Sequence, residues 1–277
     1  MYITKVPFPE YKKKAMVAYL KNHQQTDGGW GTHIECASTM FGTILSYIAL
    51  RLLGEEAHTP YMCEARDFIS SYGGALYAPS WAKFWMAVIG VYDWRGVNSI
   101  PAEMWVLPRW FPFHPGKLWC HCRMVYLPMC YVYCMRFTPD VEADPVLMSL
   151  RSELYSQVYD SINWDAYRQT CAEIDEYAPL RPVMKVAQDF LAVYEAYILP
   201  YCPPLRKLRE NALKFVIDYI HAEDLQTNYV DIGPVNKALN MLSVWVDAGG
   251  DDEALKCEAM QRHIPRIDDY LWVAEDG

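Results

Sequence analysis

Residues 14–30 read KAMVAYLKNHQQTDGGW, and the helical fold is predicted from this stretch first. Its apolar residues fall at helical spacing before the Gly28-Gly29 pair, so a helix that ends in a tight turn is expected. Gln24 would lie at the helix end, where its side-chain amide can pair with free backbone carbonyls. Trp30 would stack over that amide. The stretch therefore predicts a helix whose end is tied to the helix that follows.

The same helical spacing recurs along most of the chain, and no run alternates as a series of strands would. Ten or eleven helices are predicted, ten of them over residues 10–24, 38–53, 60–71, 80–92, 118–136, 145–155, 182–199, 204–221, 234–246 and 252–262. We therefore predict an all-α fold with one domain over residues 1–277, built as an array of helical hairpins. The pattern does not distinguish a closed ring of hairpins from an open solenoid.

The composition limits the class of protein. The chain has 277 residues, of which 52% are apolar and 21% charged, as in a globular protein. Its net charge of −9 argues against a nucleic-acid-binding surface. The chain has nine cysteines, an odd number, and its N-terminal residues do not have the pattern of a signal peptide. Both observations favour a reduced, cytosol-facing chain. No apolar run is long enough to predict a membrane span. Aromatic residues make up 14%, which indicates either a large core or an aromatic-lined cavity.

A resemblance to a known family rests on several segments. Lys14-Ala15, Tyr19-Leu20, Gln24, Gly28 and Trp30 match the QW repeat of the squalene and oxidosqualene cyclases at every fixed position. Four further segments resemble that family and follow its order, namely PSWAKFW (79–85), LWCHCRMVYLPM (118–129), IGPVNK (232–237) and RIDDYLW (266–272). Of these, 118–129 is most similar to the eukaryotic lanosterol and cycloartenol synthase type.

The resemblance implies a fold and a reaction. Family members form two α/α barrels (toroids) with the cyclisation cavity between them, and this chain resembles the N-terminal barrel. The expected reaction is a carbocation cascade that converts 2,3-oxidosqualene to a tetracyclic sterol precursor, lanosterol or cycloartenol. The Asp-Cys-Thr-Ala-Glu segment that protonates the epoxide does not occur here, and the similar string at residues 169–173 lacks the aspartate. The chain alone is therefore expected to be inactive and to need a C-terminal barrel in cis or in trans.

The same resemblance implies site residues. Trp81 and Trp119 would line the cavity, where aromatic faces stabilise transient cations. His121 would lie near the last cations as the candidate terminal base. Three further residues match positions beside the cavity and the substrate constriction: Cys122, Val125 and Tyr126. For each of these residues the alternative is ordinary packing in the core, and the role implied for Gln24, Gly28 and Trp30 is structural.

No metal or other cofactor is predicted. Cysteines and a histidine cluster at residues 120–134, but Cys120 and Cys122 would point to different faces of one helix, which does not suit zinc. The acidic runs 251–253 and 268–269 are expected to be a helix start and a surface pair. Epoxide protonation requires neither a diphosphate nor a metal.

The family also implies a location and partners. Its members lie in one leaflet of the endoplasmic reticulum membrane, and lipid droplets are a second expected location. The membrane surface and 2,3-oxidosqualene are the expected partners. The Pro- and aromatic-rich segment 105–113, or the helix after it, could supply the apolar patch. Exposed apolar surface would make the isolated chain oligomerise or require detergent. A truncated, non-catalytic half-cyclase that binds an apolar ligand or partner is the alternative function, and a product without function is the third.

Overall fold

The computed structural model describes residues 1–277 and is all-α, which confirms the predicted class. Its one extended pairing is a bridge between Trp30 and Thr39. Ten α-helices follow in chain order: α1 (Glu10–Asn22), α2 (Met40–Leu52), α3 (Pro60–Ser71), α4 (Ser80–Val88), α5 (Cys120–Met135), α6 (Pro145–Glu153), α7 (Pro182–Val193), α8 (Pro203–Gln226), α9 (Pro234–Asp247) and α10 (Glu258–His263). Short 3-10 turns lie in many of the connections.

The chain divides into two compact units, each built from separate stretches of sequence. Unit I comprises Met1–Val6, Ser99–Phe137 and Pro182–Trp272 and contains α5 and α7–α10. Unit II comprises Pro7–Asn98, Thr138–Arg181 and Val273–Gly277 and contains α1–α4 and α6. The single domain expected from the sequence stays a prediction.

The QW stretch ties two helices of unit II together, with side-chain roles that differ from the expectation. The Trp30 indole Nε1 donates to the Leu20 carbonyl at 2.8 Å and so caps the end of α1. The Gln24 amide instead donates to the carbonyls of Gly28 and Tyr61, both at 2.8 Å, and links the turn to α3. The indole thus satisfies a carbonyl at the end of α1, and the amide crosses to the next helix.

Gly28 is required in this turn for two reasons. Its φ of +83° lies in the left-handed region, and a Cβ at this position would come within 2.7 Å of the Glu64 carbonyl oxygen of α3. The tight turn predicted from the Gly28-Gly29 pair is therefore confirmed, and α3 packs close against it.

Buried charges fix the loops of unit II to its helices. The Asp175 carboxylate accepts from the backbone N–H groups of Met40 and Phe41 at 2.8 and 2.7 Å, where it meets the positive end of α2. The fully buried Lys83 ammonium donates to the carbonyls of Tyr167 and Thr170 at 2.5 and 2.7 Å. Burial lowers the pKa of Lys83 to about 7. These contacts hold residues 159–175 against the helices.

In unit I, α5 continues through Pro128, a residue that usually breaks a helix. Proline has no N–H, so the carbonyl of Met124, four residues earlier, loses its helical donor. The Asn236 side chain of α9 donates to this carbonyl at 2.8 Å and replaces the missing bond. Ser243 of α9 lies beside the Pro128 carbonyl at 3.3 Å. The packing of α9 against α5 therefore satisfies the backbone that the proline disturbs.

Three helix ends in unit I differ from the prediction by five or six residues. α8 runs to Gln226 instead of residue 221, and the added turn carries Glu223 and Asp224. α7 ends at Val193, and residues 194–198 form a wider π-helical turn. In that turn Glu195 accepts from Arg209 at 2.8 Å. The ends of α7 and α8 make polar contacts with residues distant in sequence, which a local pattern does not record. α10 begins at Glu258 instead of residue 252, because residues 254–256 form a separate 3-10 turn.

Candidate functional site

The predicted site residues Trp119 and His121 lie at the beginning of α5. Trp119 occupies the N-cap position of the helix, and its side chain is 66% exposed. His121 is exposed too, and the centres of the two rings are 5.0 Å apart. The Cys120 thiol lies 3.6 Å from His121 Nδ1. The beginning of α5 thus exposes an indole ring and an imidazole ring side by side.

The remaining α5 residues of the predicted site extend this face. Cys122, Val125 and Tyr126 are half-buried. Positions three and four apart on a helix are neighbours, so these residues and His121 share one side of α5. From Leu127 to Tyr133 the helix is buried instead. The first two turns of α5 therefore carry the predicted site, and the later turns anchor it.

The other predicted cavity residue, Trp81, belongs to unit II. It is the second residue of α4 and is half-buried. Its neighbours Ala82, Lys83 and Phe84 are fully buried, which fixes this end of the helix. The structure gathers Trp119, His121, Cys122, Val125 and Tyr126 on one helix, whereas Trp81 is positioned by a different set of contacts.

The cysteines of α5 are thiols in the described structure. All nine cysteines of the chain are free. Cys130 is fully buried and donates to the Leu127 carbonyl at 2.9 Å. Burial raises the pKa of Cys134 to about 12 and holds the pKa of Cys130 well above its usual value. A cysteine that binds zinc must lose its proton, and a raised pKa disfavours that loss, so Cys130 and Cys134 do not suit zinc.

A buried polar cluster in unit I was not predicted. It is formed by Asp224 of α8, Asp231 in the loop after α8, Lys237 of α9 and His263 of α10. The Lys237 ammonium lies 2.6 Å from His263 Nδ1 and 3.6 Å from an Asp231 oxygen. His263 Nε2 lies 3.2 Å from Asp224 Oδ2. We call these four residues the α8–α10 cluster.

The electrostatics of the α8–α10 cluster follow from its burial. Burial and the neighbouring Lys237 ammonium lower the pKa of His263 to about 3, so the imidazole is neutral. Its Nδ1 then accepts from the ammonium, which leaves the hydrogen on Nε2, on the side of Asp224. Burial and Asp224 raise the pKa of Asp231 to about 6.

Three donor groups of the cluster lie close enough to suggest a metal site. Ligand atoms of Asp224, Asp231 and His263 are within 4.8 Å of one another. The Lys237 ammonium already occupies the place of a cation beside Asp231 and His263, and a divalent ion would meet its charge there. The arrangement fits an ion-pair network that joins three helices better than a metal centre.

Sequence reasoning missed the cluster because its members carry no shared spacing. Lys237 lies in the segment 232–237 used for the resemblance, but Asp224 and His263 lie outside the quoted segments. A lysine placed inside the apolar face of α9, where it is 4% exposed, is the local signal that a buried partner must exist.

Comparison with known proteins identifies the family. Residues 6–275 match the squalene-hopene cyclase N-terminal domain. The chain is 43% identical over its whole length to a cycloartenol synthase of Dictyostelium discoideum, of which it covers 37%. It is 42% identical to a lanosterol synthase of Mus musculus and 39% identical to an alpha-onocerin synthase of Lycopodium clavatum, and it covers 36% and 34% of these proteins. The chain thus spans a little over a third of the relatives it matches.

These matches cover nearly every residue of the chain, including the QW stretch and the α5 face, and they agree with an all-α structure. The predicted resemblance is therefore confirmed. The chain belongs to the squalene-hopene cyclase N-terminal domain family, whose fold is the α/α toroid.

Proposed function

We propose that this chain forms one wall of the cyclisation cavity of an oxidosqualene cyclase. The substrate would be 2,3-oxidosqualene and the product a tetracyclic sterol precursor, lanosterol or cycloartenol. The observation that carries the proposal is the exposed pair of Trp119 and His121, 5.0 Å apart, on a helix whose later turns are buried. Its support is the family and the names of the relatives, cycloartenol synthase and lanosterol synthase.

Each residue of the α5 face has a separate task in this proposal. The Trp119 indole offers a face that attracts a cation without reacting as a nucleophile. Trp81 would do the same. A neutral His121 nitrogen accepts the proton that the last cation loses, and the electron pair of the broken C–H bond becomes the new double bond. Cys122, Val125 and Tyr126 would border the path by which the apolar substrate enters.

The cascade also requires an acid that opens the epoxide. We propose that a second barrel supplies this acid, as an aspartate, in cis or in trans. The residues of this chain would then hold the polyene in shape, exclude water and stabilise the charge as it moves. No cofactor is needed, because the acid and the base exchange only protons with the substrate.

A chimera tests this function. We would replace the matching segment of the Dictyostelium discoideum cycloartenol synthase by this chain and measure tetracyclic products of 2,3-oxidosqualene by gas chromatography. We expect product from the chimera and at least about tenfold less from its His121→Ala variant. The control is His58→Ala, because the His58 side chain is 82% exposed. A folded chimera without product, or full activity after His121→Ala, would contradict the proposal.

Assays of the chain alone distinguish a part of a cyclase from the non-catalytic alternative. We expect no sterol from 2,3-oxidosqualene and the pure chain. A folded but inactive chimera, together with tight binding of the apolar substrate by the chain alone, would favour the non-catalytic alternative.

We also propose that the protein binds a membrane surface through α7, at the endoplasmic reticulum or on lipid droplets. No helix of the structure has the length and apolar character needed to cross a bilayer. α7 and the turns after it instead expose an apolar stripe at helical spacing: Val183, Val186, Phe190, Val193, Tyr197 and Tyr201. Such a stripe suits insertion into one leaflet. The segment 105–113 expected from the sequence adds Trp110 and Phe113, which are 78% and 53% exposed.

Liposome sedimentation tests the membrane proposal. The variant Val186→Asp with Phe190→Asp places two charges in the stripe, and we expect it to remain in the supernatant while the wild-type chain sediments. Val158→Asp, at a position in unit II that is 74% exposed, is the matched control. Equal sedimentation of all three proteins would exclude α7 as the contact.

A further inference from the structure

A cavity lies in unit I, apart from the α5 face described above. Its volume is about 320 Å³, which is the size of a small ligand site. The segment 105–116, α5 and α8 each supply part of its wall. α5 contributes Arg123, Met124 and Leu127 here, whereas His121, Cys122, Val125 and Tyr126 belong to the other face. The cavity is therefore not accounted for by the cyclisation site.

The apolar part of the wall suits a hydrocarbon chain. Trp105 and Leu127 lie in the wall, together with Phe215 and Tyr219 of α8. Phe215 and Tyr219 are 42% and 44% exposed, so water wets two aromatic rings that a chain would cover. Removing this surface from water stabilises any bound apolar group.

The polar part of the wall contains buried atoms without partners. The Nε of Arg123 is buried and makes no hydrogen bond, and the Oε1 of Glu223 is buried and makes none. Glu223 as a residue is only 9% exposed. A buried polar group without a partner is costly, so these atoms indicate a ligand that offers them hydrogen bonds.

The charge of the wall is positive. Arg109 and Arg123 both line the cavity. Glu223 is the one acidic residue in the wall. Its pKa is raised to about 7, by burial first and by Asp231 next, so near neutral pH it donates as well as accepts. His114 accepts from the Gly116 N–H through Nδ1, which leaves its other nitrogen as a donor.

We propose that this cavity is a binding site for a monoanionic amphiphile with a carboxylate or phosphate head. The head would bind Arg123 and Arg109. The hydrocarbon chain would lie along Trp105, Phe215 and Tyr219. Two guanidinium groups and one carboxylate give the wall a net charge of about +1, which one negative charge on the ligand would neutralise. The planar fork of arginine matches carboxylate and phosphate oxygens.

Titration of the full chain with decanoate and with decanol tests the charge requirement. The two probes share a hydrocarbon chain and differ in the head, and Trp105 in the wall provides a fluorescence signal. We expect decanoate to bind at least about tenfold more tightly than decanol, because only the anion pairs with the guanidinium groups. Equal affinities would overturn the proposal.

Three variants locate the binding. Arg123→Met should weaken decanoate binding about tenfold, and Arg206→Met, at an exposed position of α8, should leave it unchanged. Glu223→Gln removes the one negative charge of the wall, so we expect tighter decanoate binding at pH 8. A gain of affinity cannot come from misfolding, which separates the proposal from a general loss of structure. Unchanged affinity in both Arg123→Met and Glu223→Gln would refute the site.

Vesicles distinguish the source of the anion. Phosphatidylcholine vesicles with and without phosphatidylglycerol present the phosphate head within a bilayer, and decanoate presents a free carboxylate. Binding that requires both phosphatidylglycerol and Arg123 would identify a membrane lipid as the occupant. Arg123-dependent binding of decanoate alone would identify a free amphiphile. Absence of Arg123 dependence in both arms would overturn the proposal.

Discussion

Two histidines of unit I show how differently the same side chain is used. His121 is exposed at the beginning of α5, beside an indole that is 66% exposed. His263 at the end of α10 is fully buried between the Lys237 ammonium and the Asp224 carboxylate. The first contributes little to the contacts that hold the unit together, whereas the second joins three helices. We infer that the α5 face serves a ligand and that the α8–α10 cluster serves stability.

The largest effect on stability is expected for Lys237→Met, which tests the role of the α8–α10 cluster. The change removes the cation of the cluster and leaves two buried carboxylates without compensation, which costs about 3–5 kcal/mol of unfolding free energy. Urea denaturation followed by circular dichroism measures it. Lys207→Met is the matched control, because the Lys207 side chain is 69% exposed and its ion pair contributes under about 1 kcal/mol. Equal stability of the two variants would show that the cluster is not structural.

The pH dependence of stability gives the next largest effect. The pKa of His263 falls from 6.5 in the unfolded chain to about 3 in the fold, so below pH 6.5 the unfolded chain binds the extra proton. Taken alone, His263 therefore removes stability as pH falls from 6.5 towards 3, by up to about 1.4 kcal/mol per pH unit. The pKa of Asp231 is raised from 3.8 to about 6 and that of Glu223 from 4.5 to about 7. Protonation of these two carboxyl groups opposes the loss between pH 7 and 3.8, so the contribution of His263 must be isolated by a variant.

A variant isolates the contribution of His263. His263→Gln keeps a polar side chain but cannot titrate, so its unfolding free energy should fall less steeply than the wild type between pH 6.5 and 3. Lys207→Met should keep the wild-type slope. Identical slopes for His263→Gln and the wild type would mean that the imidazole is protonated in the fold.

Asn236 connects the two regions, and its removal should have an intermediate effect. Asn236→Ala leaves the Met124 carbonyl of α5 without the donor that replaces the missing N–H of Pro128. We expect a loss of about 1–2 kcal/mol in unfolding free energy, again by urea denaturation. The control Asn22→Ala removes an exposed side-chain hydrogen bond to the Asp276 carbonyl and should cost less. A smaller loss for Asn236→Ala than for Asn22→Ala would contradict the role of Asn236 in α5.

The smallest effect is expected at the α5 face itself. His121→Ala and Trp119→Ala should change the unfolding free energy by no more than about 0.5 kcal/mol, because both side chains are exposed. The same His121→Ala change should abolish most product in the chimera described above. A loss of stability as large as that of Lys237→Met would remove the distinction between the two histidines.

The helices could be predicted from the sequence, whereas several of their ends could not. The ten helices with stated ranges each correspond to a helix of the structure, because helical spacing and proline at the first turn are local signals. The ends of α7 and α8 and the start of α10 were predicted wrongly. At the first two, Glu195 meets Arg209 and Asp224 meets Asn240 only after folding. At the QW stretch the turn was predicted correctly, but the Trp30 indole, and not the Gln24 amide, donates to the carbonyl at the end of α1.

The amino-acid sequence by itself determined the helical class, the family and the α5 residues that the family implies, because these depend on spacing and on contiguous segments. Only the tertiary structure decided which charges are buried together. Asp224, Asp231, Lys237 and His263 come from separate places in the chain, as do Arg123 and Glu223 of the cavity. A buried charge is stabilised by partners in space and not by neighbours in sequence, so such groups become visible only when the helices are packed.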